Sequence, residues 1–389
     1  MNEELYRAEI YSLSREIQRL NRQIDEGIKK NAPDKLNPFE NPTDYPDFSG
    51  DYSDIMPEIN APDCIVPLDP APMEKHRLKR FYSVGGWCVL AQFVLSNILM
   101  YVLMVVIRMI IQSESNGVNV NTIYYYMEST SVFAGLNMLI YMFANIGFGF
   151  LGLKMAHIPK KLLVRTRNFD FIKAIAYCMI AVFIWTVSVF ASAGINDIFV
   201  RYGYTTDVMG MDNIAQSGIG FAVMMIYQCV VAPITEEIFF RGMLLRVFSR
   251  ANQRFAVFAS AFFFGIGHHN LPQFVLAFLI GIFLAHITLK HNSIIPAVIV
   301  HIFINSMSNA ISLADMNLGA GAIVYVESAV FAVAVGGIPL LLKFRETNKL
   351  PSTTPPQSRR GIAVAKKSVI FVISVVVQVL YTVYLIYSM

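Results

Sequence analysis

Charge is scarce in this chain of 389 residues: Asp, Glu, Lys and Arg make up 15% of it, against roughly a quarter in soluble globular proteins. With 55% hydrophobic residues and a mean hydropathy of +0.50, the shortage excludes an ordinary soluble fold. The net charge of +4 is small, and no basic run is interleaved with aromatics in a way that would stack bases, so no nucleic-acid partner is expected. Cysteine is nearly missing too. Of the four, Cys88, Cys178 and Cys229 lie in apolar runs and Cys64 in a polar linker, without CxxC or other metal-ribbon spacing, so they read as small hydrophobes. The opening "MNEELYRAEIYSLSREIQRL" lacks an apolar stretch, and no cleavable signal peptide is expected there.

What is present falls into two unlike parts. In residues 1–30, Tyr6, Ile10, Leu13, Ile17, Leu20 and Ile24 alternate four- and three-residue steps, the seam of a short coiled coil. Three heptads make a marginal helix alone, so this polar arm is expected either to pair with a second copy, giving a homodimer, or to lie on the membrane. Residues 31–85 form a Pro/Asp-rich linker and a basic juxtamembrane segment. Nine of the seventeen prolines fall between Asn31 and Pro72, which suits an extended or disordered linker without chemistry.

From residue 86 the apolar runs are long enough to cross a bilayer: about 86–111, 131–153, 171–194, 218–240, 255–270, 272–289, 293–313, 320–342 and 368–387. The 255–289 region can be divided differently, so the expectation is an all-α polytopic transmembrane helical bundle of eight to nine spans, with the lipid bilayer as its solvent. The spans fill 86–342, a basic loop follows at 343–367, and an additional helix at 368–387. Lys and Arg cluster before the first span, in the loops around Lys160 and Arg254, and in 343–367, whereas the alternate loops hold one arginine between them. The positive-inside rule then puts the N-terminal arm in the cytoplasm and the C-terminus outside.

Charges inside the spans need a reason, since one at a helix centre costs roughly 2.5–3.5 kcal/mol on insertion scales. The stretch "VVAPITEEIFFRGMLL" holds three. Glu237 and Arg241 are one turn apart and can pair; Glu236 lies about 100° round the helix and needs another explanation. Phe264 and His268 share one helical face, as do His301 and Asn305. At about 1.5 Å per residue, Glu236 and His268 lie about 21 Å from the cytoplasmic helix ends and His301 about 15 Å, so these groups can meet at one level. Taken singly, each has a bland reading: Glu237 and Arg241 as a structural brace, Asn305 as an interhelical hydrogen bond like Asn97, Asn137 and Asn145, His286 and His291 as satisfied core groups, His269 as a rim residue. Their joint occurrence favours a catalytic cluster of Glu236, His268, His301 and Asn305.

Glu236 and Glu237 followed by Arg241, then Phe264 and His268, then His301 and Asn305, in this order on successive helices, resemble the CPBP intramembrane proteases, the family of type II CAAX prenyl endopeptidases and bacteriocin-processing relatives. The resemblance covers about residues 170–313. It implies that Glu236 is the general base that activates water with help from His268, that His301 and Asn305 stabilise the oxyanion, and that Glu237, Arg241 and Phe264 support them. The chemistry is coherent: a carboxylate drawn out of water can take its proton, and imidazole and amide donors can face the developing charge. HExxH is absent, as are GxSG and GxGD. Two versions stay open, one driven by glutamate alone and one with zinc held by Glu236, His268 and His301. The implied substrate is a membrane-associated peptide or protein, and the implied location a bacterial plasma membrane. The alternatives are a non-enzymatic immunity or scaffold protein of the same fold and, more remotely, a proton-relay transporter.

Overall fold

A computed structural model describes Glu16, Arg19 and residues 70–114, 131–164, 166, 169–203, 219–347 and 363–388. The chain divides into Met1–Val66 and Pro67–Met389. In the first unit Glu16 and Arg19 are helical and paired at 2.8 Å on the surface. All six residues of the coiled-coil seam, and the linker up to residue 69, lie outside the described residues.

Over its described residues the second unit consists of helices and short turns, with no strand among them. Helix α1 is Pro70–Glu114, α2 Ser131–Met155 and α3 Phe171–Arg201; α4 covers residues 219–249; α5 is Gln253–Ile266, α6 Leu271–His291, α7 Ile295–Asn317, α8 Ala320–Thr347 and α9 Val369–Ser388. Eight are long and apolar enough to cross a membrane, all but α5. At 14 residues α5 reaches only about 21 Å, short of the roughly 30 Å hydrocarbon core, so the span expected over 255–270 is a part-way helix. It forms the ascending arm of a hairpin with α6. Several helices outrun their apolar runs: the basic residues from Lys75 to Arg80 are the first turns of α1, α3 continues through the surface pair Asp197–Arg201, and α4 carries Arg246 inside its last turn.

The helix starts follow from local chemistry. Asp170 accepts the Lys173 N–H at 2.9 Å, and that bond holds its carboxyl below the usual carboxylate range. Asn252 caps α5 through Phe255, and Asn270 caps α6 through Gln273 with Pro272 in the first turn. Between α5 and α6 the chain turns at His268 and His269, the latter left-handed at φ 52°.

Helix α4 is the central element and touches α1, α2, α5, α6 and α7. It alternates α and π winding: Tyr227–Val231 and Ile238–Leu245 are π, with Pro233 at the start of the α segment Ala232–Glu237. On one side α3, α6, α7 and α8 close over Tyr177, Ile180, Phe283, Leu284, Val300 and Ile304. On the other, Tyr82, Phe248, Phe255 and Phe371 stack where α1, α4, α5 and α9 meet. Here α9 passes so close to α1 that a Cβ on Gly86 would stand 2.7 Å from the Phe371 backbone, and Ser83 meets Ser368 at 3.0 Å.

Several of the described basic residues pack against helix ends and connecting turns. Arg250 donates to the Ala156 carbonyl, buried Arg246 donates to Leu162 and Asn292 carbonyls, and Lys290 sits over the Phe344 ring. Away from the contacts the helices present large apolar side chains outward: Tyr101 is 71% exposed, Phe143 66% and Phe190 69%. Such a surface is stable only against lipid.

Candidate active site

The charges of α4 lie where α4, α5, α6 and α7 converge. Arg241 Nη1 donates to Glu237 Oε1 at 2.8 Å, and neither side chain is exposed at all. The guanidinium lies over the Phe264 ring, 4.2 Å from its centroid, and Nη2 reaches the Gly281 carbonyl at 3.3 Å. That reach needs a residue without a side chain on α6: a Cβ on Gly281 would stand 3.1 Å from Ala261 and 3.2 Å from Arg241 Nη2. Oε2 of Glu237 and Nε of Arg241 are buried without partners, so the ion pair hangs on few bonds.

Glu237 has a second donor. His301, on α7, gives its Nδ1 proton to the same Oε1 at 2.9 Å. This fixes the ring so that Nε2 faces Glu236, at 3.6 Å from Oε2. A neutral ring with Nδ1 protonated has a lone pair on Nε2, and a carboxylate offers only lone pairs. The two groups therefore need a shared proton, or a water beside both. Glu236, which has no charge partner on its own helix, is thus the outer end of a chain running Arg241, Glu237, His301, Glu236.

Glu236 also lines a cavity of about 100 Å³ between α1, α2, α4, α5 and α9, with Phe264, His268 and His269 on its wall. Its side chain remains 22% accessible, whereas Glu237 is sealed. His268 stands in the turn after α5 and donates from Nδ1 to the terminal Phe264 carbonyl at 2.9 Å, which leaves the Nε2 lone pair of the neutral ring uncommitted by that bond. Phe264 contacts both imidazoles edge-on, at 5.2 Å from His268 and 5.4 Å from His301.

Asn305 lies one turn beyond His301, yet its Nδ2 donates to the Gln228 carbonyl in the first π segment at 2.9 Å, and neither Asn305 nor His301 lines the cavity. Among the described residues no group of three His, Cys, Asp or Glu side chains is placed to hold a metal. Glu236, His268 and His301, as they stand, do not fit a three-ligand zinc site.

Other histidines settle elsewhere. His291 bonds Tyr177 at 2.8 Å and His286 its own helix at Ile282, both as core groups. His269 is no rim residue: it is half-buried, bonds Thr382 and packs against Phe93 and Tyr381, tying the α5–α6 turn to α1 and α9. Asn145 accepts from Gln92 across α1 and α2, and Asn97 donates to the Phe93 carbonyl of its own helix while accepting from Tyr381 of α9. Gln92 and Gln378 on the cavity wall went unread in the sequence. The signal was present, since each is an amide within a long apolar run.

Among known protein families, the one described as Type II CAAX prenyl endopeptidase Rce1-like matches residues 218–307. The matched segment contains Glu236, Glu237, Arg241, Phe264, His268, His301 and Asn305, the residues on which the sequence resemblance rests. Together with the eight apolar helices it indicates an integral membrane protein. No curated protein and no solved structure matches the chain.

Proposed function

We propose that the chain is an intramembrane endopeptidase that hydrolyses a peptide bond of a membrane-associated peptide or protein, with Glu236 as the base that activates water. The family match supports CAAX-type protease activity in general. The observation that carries the finer reading is the placement of Glu236: accessible at a cavity on one side, and facing Nε2 of an imidazole anchored to a sealed carboxylate on the other.

In this reading water enters the cavity beside Glu236 and gives up its proton as it attacks the carbonyl. The proton passes to Glu236 or is shared with His301 Nε2. Glu237 and Arg241 keep His301 turned for that exchange and balance the charge it acquires. His268 faces the same cavity and assists at the attacking or leaving group. The oxyanion role that the resemblance implies for His301 and Asn305 requires the Asn305 amide to leave the Gln228 carbonyl, a shift within one turn of π winding. No step is routed through a metal, because the donors do not converge.

The test is a comparison of polypeptide fragments in membranes that contain the protein, lack it, or contain Glu236→Gln. Fragments that depend on the wild-type chain and vanish with Glu236→Gln support the reading. A Glu236→Gln protein that produces the same fragments would remove it and favour a scaffold that merely binds there.

A further inference from the structure

Three side-chain amides converge on the cavity from helices outside the matched segment: Gln92 of α1, Asn145 of α2 and Gln378 of α9. Each is placed where an amide is costly. Asn145 is 5% exposed and Gln378 4%, within helices otherwise facing lipid or packed on apolar neighbours. Gln92 Nε2 and Asn145 Oδ1 bond each other at 3.2 Å across α1 and α2. Gln378 Oε1 is buried with no hydrogen-bond partner. An unpartnered amide oxygen on a side chain that lines a cavity gains a hydrogen bond when the side chain turns toward a donor there.

A peptide about to be cut supplies that donor. A helix offers no free backbone groups inside a membrane, so the stretch around a scissile bond has to be extended, and its N–H and C=O groups then need partners that lipid cannot give. Side-chain amides suit this, since each carries both a donor and an acceptor. A hydrocarbon chain needs neither, and a lone carboxylate and imidazole supply chemistry rather than a cradle.

We propose that Gln378, Gln92 and Asn145 form a subsite for the extended backbone of a peptide, with Gln378 Oε1 accepting an N–H next to the bond that Glu236 addresses. The Gln92–Asn145 bond holds the site closed when empty and exchanges for peptide groups when a strand enters. This rests on the endopeptidase reading for its substrate class, and on the three amides for its content.

The test is binding of a defined probe to the full chain in detergent micelles: acetyl-Leu-Leu-Ala-Leu-Leu-amide carrying a photoreactive diazirine, beside an analogue with its backbone nitrogens methylated. Labelling is read on the Glu236→Gln protein, so the result does not depend on turnover. The expected outcome is saturable labelling by the unmethylated peptide that falls about fivefold with Gln378→Met or with Gln92→Met, the effect of one lost hydrogen bond, and falls alike with the methylated analogue. Amide variants that label as strongly as the Glu236→Gln parent, a methylated analogue that labels as strongly as the unmethylated peptide, or no saturable labelling overturns the subsite. Amide-dependent labelling in a protein whose wild type yields no fragments in membranes upholds the subsite and removes the endopeptidase reading instead.

Discussion

His301 donates from Nδ1 to Oε1 of Glu237 across 2.9 Å, joining α7 to α4 through the residue that also binds Arg241. The contact divides the labour of two adjacent carboxylates. Glu237 faces inward and orients an imidazole; Glu236 faces the cavity and meets that imidazole's other nitrogen.

The neighbours should therefore fail in different ways. Glu237→Gln leaves Arg241 buried without its counter-charge, a loss of about 3–5 kcal/mol when one partner of a buried pair goes, seen as low yield and a lowered melting temperature in detergent. Glu236→Gln should melt like wild type and lose activity by at least about a hundredfold, the contribution of a positioned base. A folded, inactive Glu237→Gln beside an active Glu236→Gln would exchange their roles.

Arg241→Lys preserves the charge and loses the fork. An ammonium cannot bond Glu237, reach the Gly281 carbonyl and cover the Phe264 ring together. The expected cost is about 1.5–3 kcal/mol, the range for hydrogen bonds to charged groups, measured by thermal melting. A variant as stable as wild type would show that charge alone holds the brace.

Gly281→Ala tests the closeness of α5 and α6. The added methyl presses on Ala261 and on Arg241, and overpacking of this kind costs about 1–3 kcal/mol. Melting temperature and fragment yield should fall together, because the displaced guanidinium is the one that holds Glu237. Loss of stability with full activity would separate the brace from the chemistry.

Metal removal separates the two versions of the water-activating step. Since Glu236, His268 and His301 do not form a ligand set, turnover should survive dialysis against a tight chelator, with metal content checked by elemental analysis. Activity that disappears on chelation and returns with zinc would require a rearranged site in which the three converge.

Sidedness follows from the alternation of basic loops along the sequence. A reporter inserted near Pro355 should lie in the cytoplasm, and one fused after Met389 outside. Both on one side would mean that α9 does not cross.

Much of the site was legible because it is written in helical spacing. Glu237 to Arg241 and Phe264 to His268 are each four apart, and both pairs make contact. The link from His301 to Glu237 was not legible, since it joins positions 64 residues apart and depends on how α7 lies against α4. The π winding of Ile238–Leu245 also hides the register, because a 3.6-residue period drifts from the true faces beyond Arg241. The chain does divide into two helices within 255–289, and only the first falls short of a span, for a length reason. An apolar run ending in Gly-His-His-Asn looks like a span on composition, yet the turn it encodes stops α5 at 14 residues.

The close crossing of α9 over α1 at Gly86 ties together segments made at opposite times in the life of the chain. Synthesis delivers Glu236, His268 and His301 well before Gln378, and Ser83 waits 285 residues for Ser368. A nascent chain in the membrane thus holds its proton-transfer groups while the wall beside them is still missing. Closure of the cavity therefore waits until α9 has been made, the last of its five helices in chain order.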